Sequence, residues 1–344
     1  MTGAGRSDDD GYRALHDAAA VRVVGRDALR VVGPDAASYL QGQVSQDVEA
    51  LAVGSSAESL LLSPQGKVEA FVRITRTGED IFVVDTDAGW GEAVEARLRR
   101  FKLRVKADLE PLAWVCVAIR GPGAAGSVAA GVPDDPALVL TVDWPGFAGV
   151  DLLGPAPAGD PLTWAAPSAV RCGAEAWEAA RIEAGVPVNG REITEGTIAA
   201  EVGLVGRTVS FTKGCFTGQE LVARLDARGS KVARSLRAVV VGTPEGASGG
   251  GGRADEGIDR TEGEAETAGE EIPPVGAAVW TADGEHLVGT LSSVARSPGL
   301  GATVALATLH RRIVPPEAVS VRWTDPDGVE RGRPAEARTL PLVG

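Results

Sequence analysis

Residues 60–87, LLLSPQGKVEAFVRITRTGEDIFVVDTD, hold three short β-type runs separated by two turns. The runs are Ser59–Leu62, Lys67–Thr75 and Asp80–Asp85. Val, Ile, Phe and Thr dominate them, as a half-buried pleated surface requires. SPQGK and RTGED supply the proline, glycine and acidic residues that close hairpins. GWGEAVEARLRRFKL follows at 89–103, with Val94, Leu98 and Phe101 at helical spacing. Strands joined by hairpins and interspersed with helices predict an α+β sheet protein rather than a doubly wound one.

The same pattern extends both ways. Upstream, Val21–Val24 and Ala28–Val32 flank a Gly-Arg-Asp turn, and Pro34 opens a short helix carrying Ala37, Tyr39 and Leu40. Residues 1–19 read as a polar tail. Downstream, LAWVCVAIRGPGA and GFAGVDLLGP read as strands, and GAEAWEAARIEAGVP as a helix stopped by Gly185 and Pro187. Residues 243–272 contain a run of four glycines, and between 245 and 271 nine acids stand against Arg253 and Arg260. Such a stretch buries too little to offset its ordering entropy and is predicted to be a disordered insertion. Residues 273–344 return to short, evenly spaced strands, the signature of a small β-barrel. The expected organisation is thus a tail, a main region at 20–242, the insertion and a C-terminal barrel.

Composition narrows the function classes. The chain has 344 residues, 44% of them hydrophobic, and a net charge of −13. No apolar run approaches the roughly 20 residues that span a bilayer, and the first residues lack the order of a secretory signal. A cytoplasmic protein with no membrane association is expected. The acidic balance disfavours nonspecific nucleic-acid binding. Cys116, Cys172 and Cys215 are odd in number and far apart, which suits free thiols in a reducing compartment. With three scattered histidines and no CxxC pair, no intrinsic metal site is expected. Cys116 and Cys172 fit ordinary core thiols.

Cys215 is different. It lies in SFTKGCFTGQELVARLDARG, residues 210–229. Thr217 and Glu220 have the spacing of a capping box, which would start a helix bearing Leu221, Val222 and Leu225. Cys215 would then sit near the positive end of that helix, with Lys213 adding a charge. A free thiol ionises near pH ~8.5, and both influences favour the thiolate, the reactive form. Gly214 and Gly218 would permit a sharp turn and close approach. A tight strand-to-helix turn with an incidental small residue explains the local pattern as well. A Cys–His dyad finds no recognisable partner in His16, His286 or His310.

KGCFTGQE, preceded by RIEAGVPVNGREITEGTIAAEVGL, closely resembles the signature of YgfZ-type folate-binding proteins, in the superfamily of the glycine-cleavage T-protein, an aminomethyltransferase. VVGPDAASYLQGQVSQDV, SPQGKVEAFVRI and VGTLSSVARSPGLGATVALATL resemble further segments of that superfamily, in the same order. The resemblance implies a ring of ferredoxin-like sheet units with a C-terminal small β-barrel and a tetrahydrofolate site in the central opening. It also implies a role supporting iron–sulfur cluster assembly or repair, with client or assembly proteins as partners. On this likeness Cys215 and Lys213 are the reactive pair. Gly214, Phe216, Gly218, Gln219 and Glu220 complete the loop, Asp151 accepts from the pterin edge, Arg181 meets the folate's carboxylate tail, and Glu183 lies beside it. The T-protein's assisting aspartate falls at Ala70 or Phe71, with Glu69 adjacent, which weakens an aminomethyltransferase reading. Folate-dependent one-carbon transfer using Glu69 or Asp151 remains the alternative.

Overall fold

The computed structural model describes residues 4–129, 137–227, 229, 231–242 and 271–343. Two five-stranded sheets and one closed barrel form its framework. In the first sheet the order is Val170–Arg171, Ala20–Val24, Trp114–Arg120, Gly149–Pro155, Leu138–Val142. In the second it is Ser56–Leu62, Val68–Gly78, Ile81–Asp87, Arg26–Val32, Asp108–Leu112. The three runs of residues 60–87 are consecutive antiparallel neighbours, as their turns demanded. The flanking runs at 20–32 do not pair with each other. Gly25 passes the chain from one sheet to the other.

Alternation along the strands sorts the side chains into layers. Val72, Ile74, Leu29, Val31, Phe82 and Val84 cover one face of the second sheet. Tyr39 and Leu40 of the Ala36–Gln43 helix, and Val94 and Leu98 of the Gly91–Arg100 helix, pack on it. The opposite face carries Arg26, Ala28, Arg73, Val83 and Asp85. Ala28 and Val83 meet Cys116, Leu140 and Leu153 of the first sheet in a small apolar cluster between the sheets. Alternation from Cys116 and Leu153 places Arg120 and Asp151 on this same inward face. Cys116 is fully buried, and burial pushes its thiol far above the ordinary range.

The barrel runs Arg234–Val241, Ala302–His310, Leu287–Ser297, Ala278–Thr281, Glu317–Thr324, Glu330–Arg338 before closing on itself. Its first strand therefore precedes the expected boundary at 242. The run SLRAVVV falls within the expected main region, yet it pairs with strands on both sides of the barrel seam. Residues 243–270 of the expected insertion lie outside the described residues.

The expected polar tail is also corrected. Ala4–Asp17 is a helix, and Tyr12, Ala14 and Leu15 on one of its faces are buried. They join Ala179, Ala180 and Ile182 of the Ala174–Ala184 helix and Val304 and Leu306 of the barrel in one core. Tyr12 Oη donates to the Glu183 carboxylate at 2.8 Å, which ties the N-terminal helix to this junction.

Candidate functional site

A cavity of about 360 Å³ opens between the two sheets. Arg22, Arg26, Arg73, Arg120, Arg181 and Arg191 line it, with Glu58, Asp87, Asp151 and Glu178 as the acids and Phe71, Trp144 and Trp177 as the aromatic walls. This size falls in the range of small-molecule sites.

Asp151 is held from two directions. Arg73 Nη1 donates to its Oδ2 at 2.8 Å, and Arg73 itself comes from the facing sheet. Arg120 Nη2 stands 2.8 Å from Oδ1 as an ion pair. That contact is out of line for a hydrogen bond, and among the described residues neither Asp151 Oδ1 nor Arg120 Nε has a hydrogen-bond partner. Burial would raise the Asp151 carboxyl, but Arg120 and Arg73 overcome it and hold the group at about 2. It is a carboxylate, an acceptor only. Asp85 receives Arg73 at 2.9 and 3.0 Å and Arg26 Nε at 2.8 Å, and Arg26 Nη1 reaches Asp87 at 3.0 Å. Arg120 also lies over the rings of Trp144 and Trp177, 4.7 and 5.4 Å from their centroids.

Arg181 lines the cavity, yet its guanidinium is saturated. Nε and Nη2 grip Glu178, Nη1 donates to Val186 O and Glu192, and Nη2 also donates to Ser293 Oγ. These occupy all five donors, so Arg181 joins helix to barrel and is not free for a ligand's carboxylate. Glu183 does not reach the cavity. It is fully buried against Tyr12, and burial raises its carboxyl despite the bonds from Ser297 and Tyr12. Both residues sit on a helix whose face is almost entirely buried, which the sequence spacing alone did not reveal.

Lys213 to Glu220 form a second locus, away from the lining of the cavity. Lys213 Nζ donates to three backbone carbonyls, Gln41 O at 2.6 Å, Gln46 O at 2.7 Å and Val44 O at 2.8 Å. Its ammonium thus closes the C-terminal end of the Ala36–Gln43 helix, where carbonyls lack partners. Burial lowers its pKa to about 8, although Asp47 and Glu49 pull it upward. Ser210 N donates to Ser45 O and Thr217 N to Gly42 O, so the two segments are laced together.

The expected capping box does not form. The helix spans Gln219–Asp226, its N-cap is Gly218, and the φ there is +80°. A Cβ at Gly218 would lie 2.5 Å from Ser63 O, and one at Gly66 would lie 2.6 Å from Leu221 Cβ. Contact with the SPQGK turn therefore sets the cap. Glu220 pairs outward with Arg224, while Gln219 Oε1 accepts from Phe216 N at 3.1 Å. Phe216 is partly buried, and Gly214 and Cys215 are exposed.

A thiol titration checks this arrangement. Native protein should react with one equivalent of Ellman's reagent, and Cys215→Ala should react with none. Cys116 and Cys172 are buried, and burial lifts the Cys172 thiol to about 12. All three thiols should titrate after denaturation. Fast reaction of two or more in the native state would contradict the packing.

Sequence reasoning missed Arg73, Arg120, Arg26 and Arg22, and also Glu58 with its partner Arg207. The available signal was a lone arginine among apolar strand residues, as in FVRI and VAIR. Asn189 was missed too. Its side chain accepts from Phe71 N and donates to Phe71 O, Thr86 Oγ1 and Asp87, which fixes the cavity's rim. Glu69 is paired with Arg97 and is not part of this lining, whereas Phe71 presents its ring there. Among the described residues no three Cys, His, Asp or Glu side chains converge as metal ligands would.

Residues 15–138 match the GCVT N-terminal domain. An aminomethyltransferase from Corynebacterium jeikeium is 24% identical over 83% of this chain and 77% of its own. The tRNA-modifying protein YgfZ of Edwardsiella ictaluri is 27% identical over 59% of this chain and 65% of its own. An iron-sulfur cluster assembly factor, the mitochondrial IBA57 homolog of Neurospora crassa, is 27% identical over 60% of this chain and 50% of its own. The match therefore spans less than two thirds of the latter two proteins. The crystal structure of glycine cleavage system aminomethyltransferase T from Bartonella henselae superposes with a TM-score of 0.75 at 20% identity, covering 97% of this chain and 89% of that one. The shared architecture is the T-protein fold.

Proposed function

We propose that this chain, a YgfZ-type protein of the glycine-cleavage T-protein superfamily, is a cytoplasmic tetrahydrofolate-binding factor that supports iron–sulfur cluster assembly or repair through Cys215. The observation that carries the reading is the state of the acids in the central cavity. Each one is ion-paired: Glu58 with Arg207, Asp87 with Arg26, Asp151 with Arg73 and Arg120, and Glu178 with Arg181 and Arg191. None is a free base for one-carbon transfer, and neither Ala70 nor Phe71, the two positions where the T-protein's aspartate is expected, carries a carboxylate. The cavity suits binding better than turnover.

The lining residues fit a reduced folate. Asp151 Oδ1, buried and without a hydrogen-bond donor among the described residues, suits the paired donors of a pterin edge. Trp144, Trp177 and Phe71 offer flat apolar walls. For the anionic tail, Arg22 takes the place of Arg181. It is partly buried and makes one hydrogen bond, to Cys172 O at 3.1 Å. Bound folate would supply its one-carbon-carrying nitrogens. Cys215, lying outside the cavity, would meet a cluster, a donor protein or an oxidant from solvent, and any cluster would need ligands from a partner.

Calorimetry with folinic acid, combined with complementation of a strain lacking the protein, tests both halves. Cys215→Ala should bind folinic acid like wild type yet fail to restore iron–sulfur enzyme activity. Full rescue by Cys215→Ala would remove the thiol from the function. Ammonia released from an aminomethylated carrier in the presence of tetrahydrofolate would establish the transferase reading instead.

A further inference from the structure

A second, larger cavity lies back to back with the first. It encloses about 640 Å³ between the SPQGK turn, the Gly91–Arg100 helix and residues 193–196. Strand Val68–Gly78 separates the two, since Ala70 lines this one while Phe71 and Arg73 line the central one. Helical spacing turns Trp90, Ala93, Arg97 and Arg100 toward it together. Ala70, Ala93 and Ala96 contribute only methyl groups to the lining that Trp90 shares.

Its charges are not all balanced. Arg97 has 8% of its side chain exposed and donates to Glu69, Gln43 Oε1 and Leu62 O. Three of its five donors are engaged, which leaves two. Lys67 and Arg100 line the same space and have no acidic partner among the described residues. Against these three cations stand Glu69, already neutralised by Arg97, and Glu195 at the exposed rim. The balance is one positive charge over a mostly apolar wall.

We infer that this cavity is a second small-molecule site, taking an aromatic monoanion whose ring lies against Trp90 and whose acid group is held by Lys67, Arg97 and Arg100. A flat apolar body with one charge matches both the lining and the residual charge. The site does not depend on the folate reading. It adjoins the Cys215 loop, because Gly66 of the SPQGK turn packs on Leu221 and Gly218.

Anilinonaphthalene sulfonate is a suitable probe, followed by its fluorescence on the full chain. Wild type should bind one equivalent that excess folinic acid does not displace. Ala93→Trp, an exposed position on the helix, should fill the cavity and abolish that binding. Lys67→Gln/Arg100→Gln should weaken it about a hundredfold, about tenfold for each of the two lost charge-assisted contacts. Circular dichroism melts confirm that both variants fold. Probe binding unchanged in both variants, or wholly displaced by folinic acid, would overturn the assignment. If folinic acid fails to bind at all, the central-cavity reading falls, and the two variants still decide this one.

Discussion

Asp151→Ala should lower the free energy of unfolding by about 3–5 kcal/mol and eliminate folinic acid binding. The carboxylate faces Arg73 and Arg120, whose side chains are only 9% and 3% exposed. Removing it leaves two guanidinium groups in the low-dielectric space between the sheets with one fewer counter-charge. Asp85 cannot compensate, because it already receives both Arg73 and Arg26. The acid also has a pH signature of definite sign. Its folded pKa of about 2 lies below the ordinary 3.8, so its contribution is complete above the higher value and disappears as pH falls through the lower one. That window corresponds to about 2 kcal/mol. Urea unfolding of wild type and Asp151→Asn across this range isolates it: the wild-type advantage should shrink steadily on acidification. A loss below about 1 kcal/mol for the alanine variant would put these arginines in the regime of solvent-exposed pairs and remove the electrostatic basis of the site.

The parts of this fold that were legible in the sequence are those governed by local rules. Residues 60–87 became the expected antiparallel strands because turn chemistry and β-branched runs act over a few residues. GVDLLGP, which carries Asp151, is likewise a strand, Gly149–Pro155. What escaped depends on distant partners. Arg73 and Asp151 are 78 residues apart in sequence and meet only when the two sheets face each other. Gly218 replaces Thr217 as the cap because a turn at residues 63–66 occupies the space a side chain would need. Arg181 looks like a ligand-binding residue in ARIEAG, yet Glu178, Glu192 and Ser293 use it up, while Glu183 beside it is taken by Tyr12 of the N-terminal helix. Likewise Tyr12 and Leu15 make residues 4–17 a helix that seals the core, although the acidic residues around them suggest a tail. Ion pairs across layers and close approaches of backbone leave no periodicity to read.

The loop itself yields the second large effect. Lys213→Met should cost about 2–4 kcal/mol and abolish complementation, whereas Cys215→Ala should abolish complementation at no measurable cost to stability. Methionine keeps the length and apolar stem of the side chain but brings no donor. Three carbonyls, those of Gln41, Val44 and Gln46, would lose the group that satisfies them. Val44 and Ser45 are buried, so water reaches that turn poorly. Each unsatisfied acceptor costs about 1–3 kcal/mol, with partial relief as the loop relaxes. The remaining lacing, Ser210 N to Ser45 O and Thr217 N to Gly42 O, would then have to hold the loop alone. Lys213→Arg is the discriminating control. Its planar fork cannot point at three carbonyls arranged around an ammonium, so it should restore stability only partly while keeping the charge. If charge beside Cys215 were what mattered, Lys213→Arg would complement fully and Lys213→Met would fail without unfolding. If the ammonium acts as a cap, complementation should follow stability across the two variants, and both should alter the rate at which Ellman's reagent reaches Cys215.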